Sequence, residues 1–419
     1  MKILEINTTD KKGGAANVAY SLKTMLEKKG HTVSFFVKQK HSNDNNVFTI
    51  KQNCKIFNIL SFLSKKIIRK DIPNYLKNRI RPLLKNDIDF FGSNYLLKTK
   101  EFRDADLIHC HNLHGNYFNL KILQKLSRIK PVVWTLHDMW AITSHYVWLS
   151  DVTIKKQFDS LVTSTYLDWD NSKYLLDSKK KIYENSKLNI VVPSLWLKKI
   201  VEKSMLKSQN LTLIYNGIDN TIFKKYDKTR TRQYLKLPTN KKIITFLANG
   251  GKNNNQKGWE YAQYVANFYK NNMNILFLCI GGNKTDEQVN NNNIRYVEYI
   301  DNQELLAQYY SVSDIFLFTS LFENFPLTIL EAMACGTPIV SFDVGGVKEV
   351  LTHKKNGYIA EYKNKNSLIK GVEYILKLNL DKLNKMSQNS IQKINNEFTL
   401  EIMTENYLKL YRKLLNDDI

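Results

Sequence analysis

A chain of 419 residues with 43% hydrophobic side chains is long enough for two or three domains, each with a core of its own. Lys and Arg number 62 against 39 acids, a formal charge of +23 that favours anionic partners: nucleic acid, acidic lipid or phosphorylated small molecules. The four cysteines, Cys54, Cys110, Cys279 and Cys335, lie far apart without a CxxC pair, which argues against a disulfide framework or a structural zinc site and for a reducing cytoplasm. No run approaches the roughly 18 apolar residues of a bilayer span, and the apolar part of the N-terminus is too short for a signal peptide. The expected location is the cytoplasm, in solution or lying on the inner face of the membrane.

In chain order, Ile3 to Ile6 predicts a strand, Asn17 to Lys29 a helix closed by Gly30, and His31 to Val37 a second strand. At the first strand-to-helix turn stands Gly13-Gly14-Ala15-Ala16, small enough for backbone to approach a phosphate but not the dinucleotide fingerprint GxGxxG. A plain tight turn and a ligand loop both fit it. Residues 51–100 carry a net charge of +9, with Ile56, Ile59, Leu60, Leu63 and Ile67 at helical spacing. A basic amphipathic helix on an anionic bilayer and a core-facing helix with a solvated polar face would look alike here.

Asp106-Leu107-Ile108-His109-Cys110-His111 predicts a strand running into a polar loop, with His114 beyond it; Pro131 to Thr135 predicts another, ending in Leu136-His137-Asp138. Five of the eight histidines, from His109 to His145, fall within 37 residues. Ligands of open α/β sheets sit beyond the carboxyl ends of strands, so this clustering favours a polar site over zinc, for which neither HExxH nor Cys/His spacing is present. Two Asp-x-Asp triplets, Asp87-Ile88-Asp89 and Asp168-Trp169-Asp170, resemble a metal motif but follow no convincing buried strand. Residues 150–188 read as an insertion with helical pieces. Strands follow at Ile190 to Val192 and Leu211 to Tyr215, then the turn Asn216-Gly217-Ile218-Asp219, and the polar, basic stretch 220–240 reads as an interdomain linker.

A second alternating run begins with a strand at Lys242 to Leu247 and a loop from Gly250 to Gly258 that contains Lys252 and Lys257. A helix from Trp259 to Tyr269, strands at Ile275 to Ile280 and Arg295 to Ile300, and a helix from Asn302 to Ser311 follow. Alternation of this kind predicts a parallel sheet. The strand Ile315 to Phe318 then leads into Phe322-Glu323-Asn324-Phe325-Pro326-Leu327-Thr328-Ile329-Leu330-Glu331, a loop and a helix of about ten residues with Pro326 at its first helical position, stopped by Gly336 and Pro338. Glu323 falls in the loop and Glu331 one turn into the helix. Between them lies a helix N-terminus, which attracts anions. A nucleoside diphosphate sugar has the matching layout: hydroxylated sugar, pyrophosphate, hydroxylated ribose.

Together these pieces resemble glycosyltransferase family 4, the group 1 glycosyltransferases of GT-B fold. The resemblance rests on Glu323 and Glu331 with seven residues between them, Ala332-Met333-Ala334-Cys335-Gly336-Thr337-Pro338, Asn216-Gly217-Ile218-Asp219, Lys257-Gly258 and Gly13-Gly14. The stretches His111-Asn112-Leu113-His114-Gly115, Trp134 to Trp140 and Pro193 to Leu197 are similar to a subgroup of bacterial exopolysaccharide and O-antigen transferases that includes colanic acid enzymes. The resemblance implies an α/β protein of two Rossmann-like parallel-sheet domains facing each other across a cleft. It places an acceptor-binding domain at 1–220, a nucleotide-sugar domain at 221–395 and a helix at 396–419 crossing back to the first. It implies a retaining hexosyltransferase, metal-independent, moving a hexose from a nucleoside diphosphate sugar to a lipid-linked glycan acceptor in lipopolysaccharide or other surface polysaccharide synthesis, as a peripheral protein on the anionic inner membrane surface and without nucleic acid.

By the same resemblance Glu323, His137 and Lys257 serve catalysis. Gly13, Gly14, Lys252, Lys257, Asn324, Phe325, Pro326, Leu327, Thr328 and Glu331 hold the donor, Glu331 at the ribose, and His111, His114 and Asp138 meet the acceptor. The family's phosphate-binding arginine is missing, and Lys252 stands nearest to its place, able to neutralise charge but not to fork two oxygens. Competing readings are a GT-B epimerase or phosphorylase, or a basic membrane-surface protein without enzymatic activity.

Overall fold

The computed structural model describes residues 1–50, 86–148, 171–248, 255–281 and 293–416. The chain divides into two compact units, the first spanning Met1–Pro193, Leu197–Ile214 and the segment from Thr404, the second spanning Ser194–Trp196 and Tyr215–Met403. The expected basic amphipathic helix, Lys252 and the triplet Asp168-Trp169-Asp170 lie outside the described residues.

The first unit is built on seven strands: β1 (Lys2–Thr9), β2 (Thr32–Gln39), β3 (Val47–Thr49), β4 (Leu107–Cys110), β5 (Val132–Thr135), β6 (Leu188–Val192) and β7 (Asn210–Leu213). All pair in parallel, in the order β3-β2-β1-β4-β5-β6-β7. β4 and β5 are buried at every residue, which is why they read as continuous apolar runs and not as an alternation. The helix Gly14–Lys28 starts three residues earlier than predicted, directly at Gly14. Parallel register sets Glu5 opposite His109, so their side chains share one face of the sheet, and His111 lies two residues further along that face. The same face carries Tyr407 and Tyr411 of the helix Leu400–Leu415, both fully buried: the Tyr411 hydroxyl bonds His109 Nδ1 at 2.7 Å and Tyr407 bonds Thr135 at 2.9 Å.

The second unit has six strands: β8 (Lys242–Leu247), β9 (Ile275–Ile280), β10 (Ile294–Val297), β11 (Ile315–Phe318), β12 (Ile339–Phe342) and β13 (Gly357–Ala360). They too are all parallel, in the order β10-β9-β8-β11-β12-β13. Phe246, Phe277, Phe316, Phe342, Ile339 and Val340 fill the layers between sheet and helices at 2% exposure or less, each such side chain contributing about 1.5–3 kcal/mol by leaving water. Both sheets therefore show the Rossmann order, whose direction reverses next to the central strand: between β1 and β4 in one unit, between β8 and β11 in the other.

The stretch 220–240 is not a bare linker. It contains the helix Lys228–Tyr234, capped by the Asp227 carboxylate on the Arg230 N–H. Arg232, 4% exposed, donates to the carbonyls of Val312, Pro238 and Lys241 and to Asp314. Its basic composition pointed to solvent, but the guanidinium fork collects backbone acceptors inside the unit.

Candidate active site

In the second unit, two loops at the carboxyl ends of β8 and β11 meet. Lys257 Nζ donates to Glu323 Oε1 at 2.7 Å, with the Glu323 side chain 13% exposed. The loops are laced by backbone: Leu321 N–H donates to Gln256 O at 2.8 Å, and the Thr319 hydroxyl donates to Lys257 O at 3.0 Å. Gly258 makes this approach possible, because its φ is +62° and a β-carbon there would collide with the Thr319 carbonyl oxygen. On the other side, the Glu323-Asn324 backbone rests on Gly345 and Gly346 after β12. Gly346 N–H donates to Asn324 O at 2.9 Å, and a β-carbon on Gly345, at φ +54°, would strike the Glu323 carbonyl oxygen.

The helix Leu327–Ala334 begins at Pro326, which occupies the cap position just outside it instead of the first helical position. Among the described residues no side chain caps its first N–H groups, and no acid lies in its first turn, so the positive end of the helix is left for an anion. Phe325 stacks on Tyr215 with centroids 5.3 Å apart, and the Asn324 amide oxygen accepts from Ser194 at 2.7 Å. Both side chains are buried, so these positions can offer a ligand only their backbone. Glu331 accepts a hydrogen bond from the Tyr310 hydroxyl at 3.1 Å, and withdrawal from water pushes its carboxyl up to about 7. Tyr310, Gly345 and Gly346 were not picked out from the sequence, and Ser194 stood out only within the stretch Pro193 to Leu197; the Gly345-Gly346 pair after an apolar run offered a local signal.

The first unit gathers the histidines at the ends of β4 and β5. His111 Nδ1 and His137 Nε2 share a hydrogen bond of 3.0 Å, and His114 Nε2 donates to Asp138 Oδ2 at 2.9 Å. The other Asp138 oxygen accepts from the Trp140 N–H at 2.9 Å, fixing the turn. Burial holds His137, His109 and His111 in their neutral forms: His137 falls to about 4, His109 to about 3, and His111 well below the ordinary value, with neighbouring imidazoles adding to the burial. Gly13, at φ +102°, and Gly14 stand at the exposed start of the helix after β1. Asp87 accepts from Trp140 Nε1 at 2.5 Å and Asp89 pairs with Lys121 at 3.0 Å, so that triplet is bound into the unit's own contacts. His145 bonds Asn171 at 2.8 Å, away from the His111–His137 pair's bonding.

The turn after β5 has a support that the sequence concealed. Lys179, fully buried, donates to the carbonyls of Trp140, Thr143 and Ser144 at 2.8–3.1 Å and lies 3.7 Å from the Trp140 ring centroid. It lies in the stretch 150–188, which read only as an insertion with helical pieces. Among the described residues one trio, Glu5, His109 and His111, is close enough to consider for a metal ion, and no helix is long and apolar enough to cross a membrane.

Two Rossmann-like parallel-sheet units, with an uncapped helix start flanked by two glutamates after a strand of the second, define a GT-B glycosyltransferase. Residues 12–221 match Glycosyltransferase Family 4 and residues 227–393 match Glycosyl transferases group 1. The chain belongs to that family. It is 26% identical over 218 residues to the N-acetyl-alpha-D-glucosaminyl L-malate synthase of Bacillus anthracis, covering 50% of this chain and 56% of that protein. An uncharacterized 41.2 kDa protein of the Klebsiella pneumoniae cps region is 22% identical over 333 residues, 76% of this chain and 81% of that one. Over 124 residues, 29% of the chain and 32% of the relative, it is 31% identical to the Campylobacter jejuni N,N'-diacetylbacillosaminyl-diphospho-undecaprenol alpha-1,3-N-acetylgalactosaminyltransferase. Among solved structures, Anabaena HepE in complex with UDP-glucose superposes with a TM-score of 0.66 at 16% identity, covering 99% of this chain and 100% of that one.

Proposed function

We propose that this glycosyltransferase moves a hexose, with retention of anomeric configuration and without a metal ion, from a nucleoside diphosphate sugar to a lipid-linked glycan in bacterial surface polysaccharide synthesis. The observation that carries the reading is the uncapped start of the helix Leu327–Ala334, with Glu323 held by Lys257 on one side and Glu331 held by Tyr310 on the other. The diphosphate takes the helix N-terminus, Lys257 and Lys252. Glu323 takes hydroxyls of the sugar, and Glu331 takes the ribose. In the first unit, Gly13 and Gly14 serve the diphosphate, His137 serves the donor sugar, and His111, His114 and Asp138 serve the acceptor.

In the reaction, the bond between the anomeric carbon and the diphosphate oxygen breaks and a bond to the acceptor oxygen forms. The acceptor proton passes to the departing diphosphate. Lys257 and the helix dipole stabilise the charge that develops on that leaving group, and such preorganised donors are each worth roughly 10²–10³ in rate. Glu323, tied to Lys257, orients hydroxyls and is not the nucleophile. The lipid-linked acceptor is supported by the undecaprenol-linked substrate named for the Campylobacter relative, and surface polysaccharide by the cps-region relative. The net +9 of residues 51–100 suits an anionic membrane surface.

The test is a panel of nucleoside diphosphate sugars offered with undecaprenyl-diphosphate glycans, reading both nucleoside diphosphate release and the linkage of the product. A new glycosidic bond with the donor's anomeric configuration is the expected result. Free epimer or sugar phosphate would shift the assignment to an epimerase or phosphorylase, and inversion would remove the retaining mechanism.

A further inference from the structure

Glu5 lies on β1 at 0% exposure, and among the described residues neither of its carboxyl oxygens has a hydrogen-bond partner. The nearby cation, Lys23, is committed elsewhere: its ammonium contacts Glu27 at 2.7 Å and Asp44 at 2.6 Å. A carboxyl oxygen of Glu5 and ring nitrogens of His109 and His111 all lie within 4.8 Å of one another. His109 is fully engaged, through Nε2 with Thr135 at 2.8 Å and through Nδ1 with Tyr411 at 2.7 Å. His111 is not. Its Nδ1 bonds His137 at 3.0 Å, while its Nε2 is buried without a partner among the described residues. The trio has the composition of a cation site, but His109 can offer a lone pair only by giving up Thr135 or Tyr411. That leaves two ligands, short of the three or four protein ligands usual for zinc.

We propose that Glu5 is a positioning residue: its carboxyl proton is donated to His111 Nε2 through one bridging water, and this fixes the tautomer of His111 and, through it, that of His137. An ionised carboxyl in an apolar interior with no partner costs far more than the neutral acid, and burial raises the Glu5 carboxyl well above its ordinary range. A buried O–H requires an acceptor, and the unpaired Nε2 of His111 supplies one. Accepting there leaves the His111 proton on Nδ1, which donates to His137 Nε2. His137 is then protonated on Nδ1. Each step follows from the one before because a neutral imidazole has one donor nitrogen and one acceptor nitrogen.

The consequence for activity rests on the role proposed for His137; the tautomers themselves do not. The experiment is ¹⁵N NMR of the histidine rings in the full chain, with Glu5→Gln, which keeps an N–H donor, and Glu5→Leu, which has none. Wild type and Glu5→Gln should show both His111 and His137 protonated on Nδ1, and Glu5→Leu should shift His111 and His137 toward the Nε2 tautomer. In a transfer assay Glu5→Gln should keep kcat near wild type, while Glu5→Leu lowers it about tenfold or more with the donor KM unchanged. An Nε2–H on His111 in the wild type, tautomers unchanged in a folded Glu5→Leu, or Zn²⁺ uptake that alters the ring shifts of His111 would each overturn the proposal. Should Glu5→Leu not fold, the wild-type and Glu5→Gln spectra still decide it. If wild type catalyses no transfer yet shows the predicted tautomers, the functional reading fails while this one stands.

Discussion

The two units run their sheets in the same order, so β1 corresponds to β8, β4 to β11 and β5 to β12, yet equivalent strand ends carry opposite chemistry. After β4 and β5 stand imidazoles held neutral by burial; after β11 and β12 stand a lysine-paired glutamate and a glycine pair. The common topology supplies only the place, a loop cluster beside the point where strand order reverses. What binds there is decided by a few side chains. Cationic and dipolar groups in the second unit suit a diphosphate, and neutral donors and acceptors in the first suit hydroxyls. The comparison can be broken, or sharpened, at individual residues.

The largest effect is expected at Glu323. Glu323→Ala should lower kcat by about 10²-fold or more, whereas Glu331→Ala should chiefly raise the donor KM; steady-state kinetics showing the reverse would exchange their roles. Next comes Gly345→Ala, which puts a β-carbon against the Glu323 carbonyl oxygen at a positive φ. Displacing the loop should reduce kcat/KM by roughly ten- to a hundredfold with the circular dichroism spectrum retained, and an unaffected rate would mean the loop does not need that rest.

The third test is pH. Burial pushes the Glu331 carboxyl up to about 7, and in the role proposed for it only the ionised form would accept from both ribose hydroxyls. The donor KM should therefore fall as pH rises from 6 to 8, by up to about tenfold, one pKa unit on each side, and Glu331→Gln should flatten the profile. The folded value is raised above 4.5, so between the two the folded state holds more protons. The stabilisation from Glu331 is complete below that window and is lost as pH rises through about 7. The smallest effect belongs to the first unit: His114→Ala frees one oxygen of Asp138 and should raise the acceptor KM a few-fold, about 1 kcal/mol, leaving the donor KM unchanged. A matching change in donor KM would contradict the division of labour.

Much of the fold was legible. β8 and β9 occur at the predicted residues because apolar runs bounded by polar residues define buried parallel strands without help from tertiary context. The positions of Glu323, in the loop after β11, and of Glu331, on the helix that follows, were legible for the same local reason, a strand, a loop and a helix start in one line, whereas Lys257 was singled out by the resemblance alone. What escaped was set by distant partners. Arg232 and Lys179 sit in basic stretches, and nothing local tells a solvated cation from one buried on three backbone carbonyls. Glu5 interrupts an apolar strand as a surface position would, and its neighbours His109, His111 and Tyr411 are over a hundred residues away.

The hydrogen bond from Tyr411 to His109 joins residues 302 apart in sequence. During synthesis the strands of the first unit leave the ribosome early, but the helix that covers the His109 face is made only after the whole second unit. Until then His109 and Thr135 lack their tyrosine partners and that face of the sheet is open. The second unit can complete its core while translation continues, and the covering of His109 and Thr135 waits for a helix made after it.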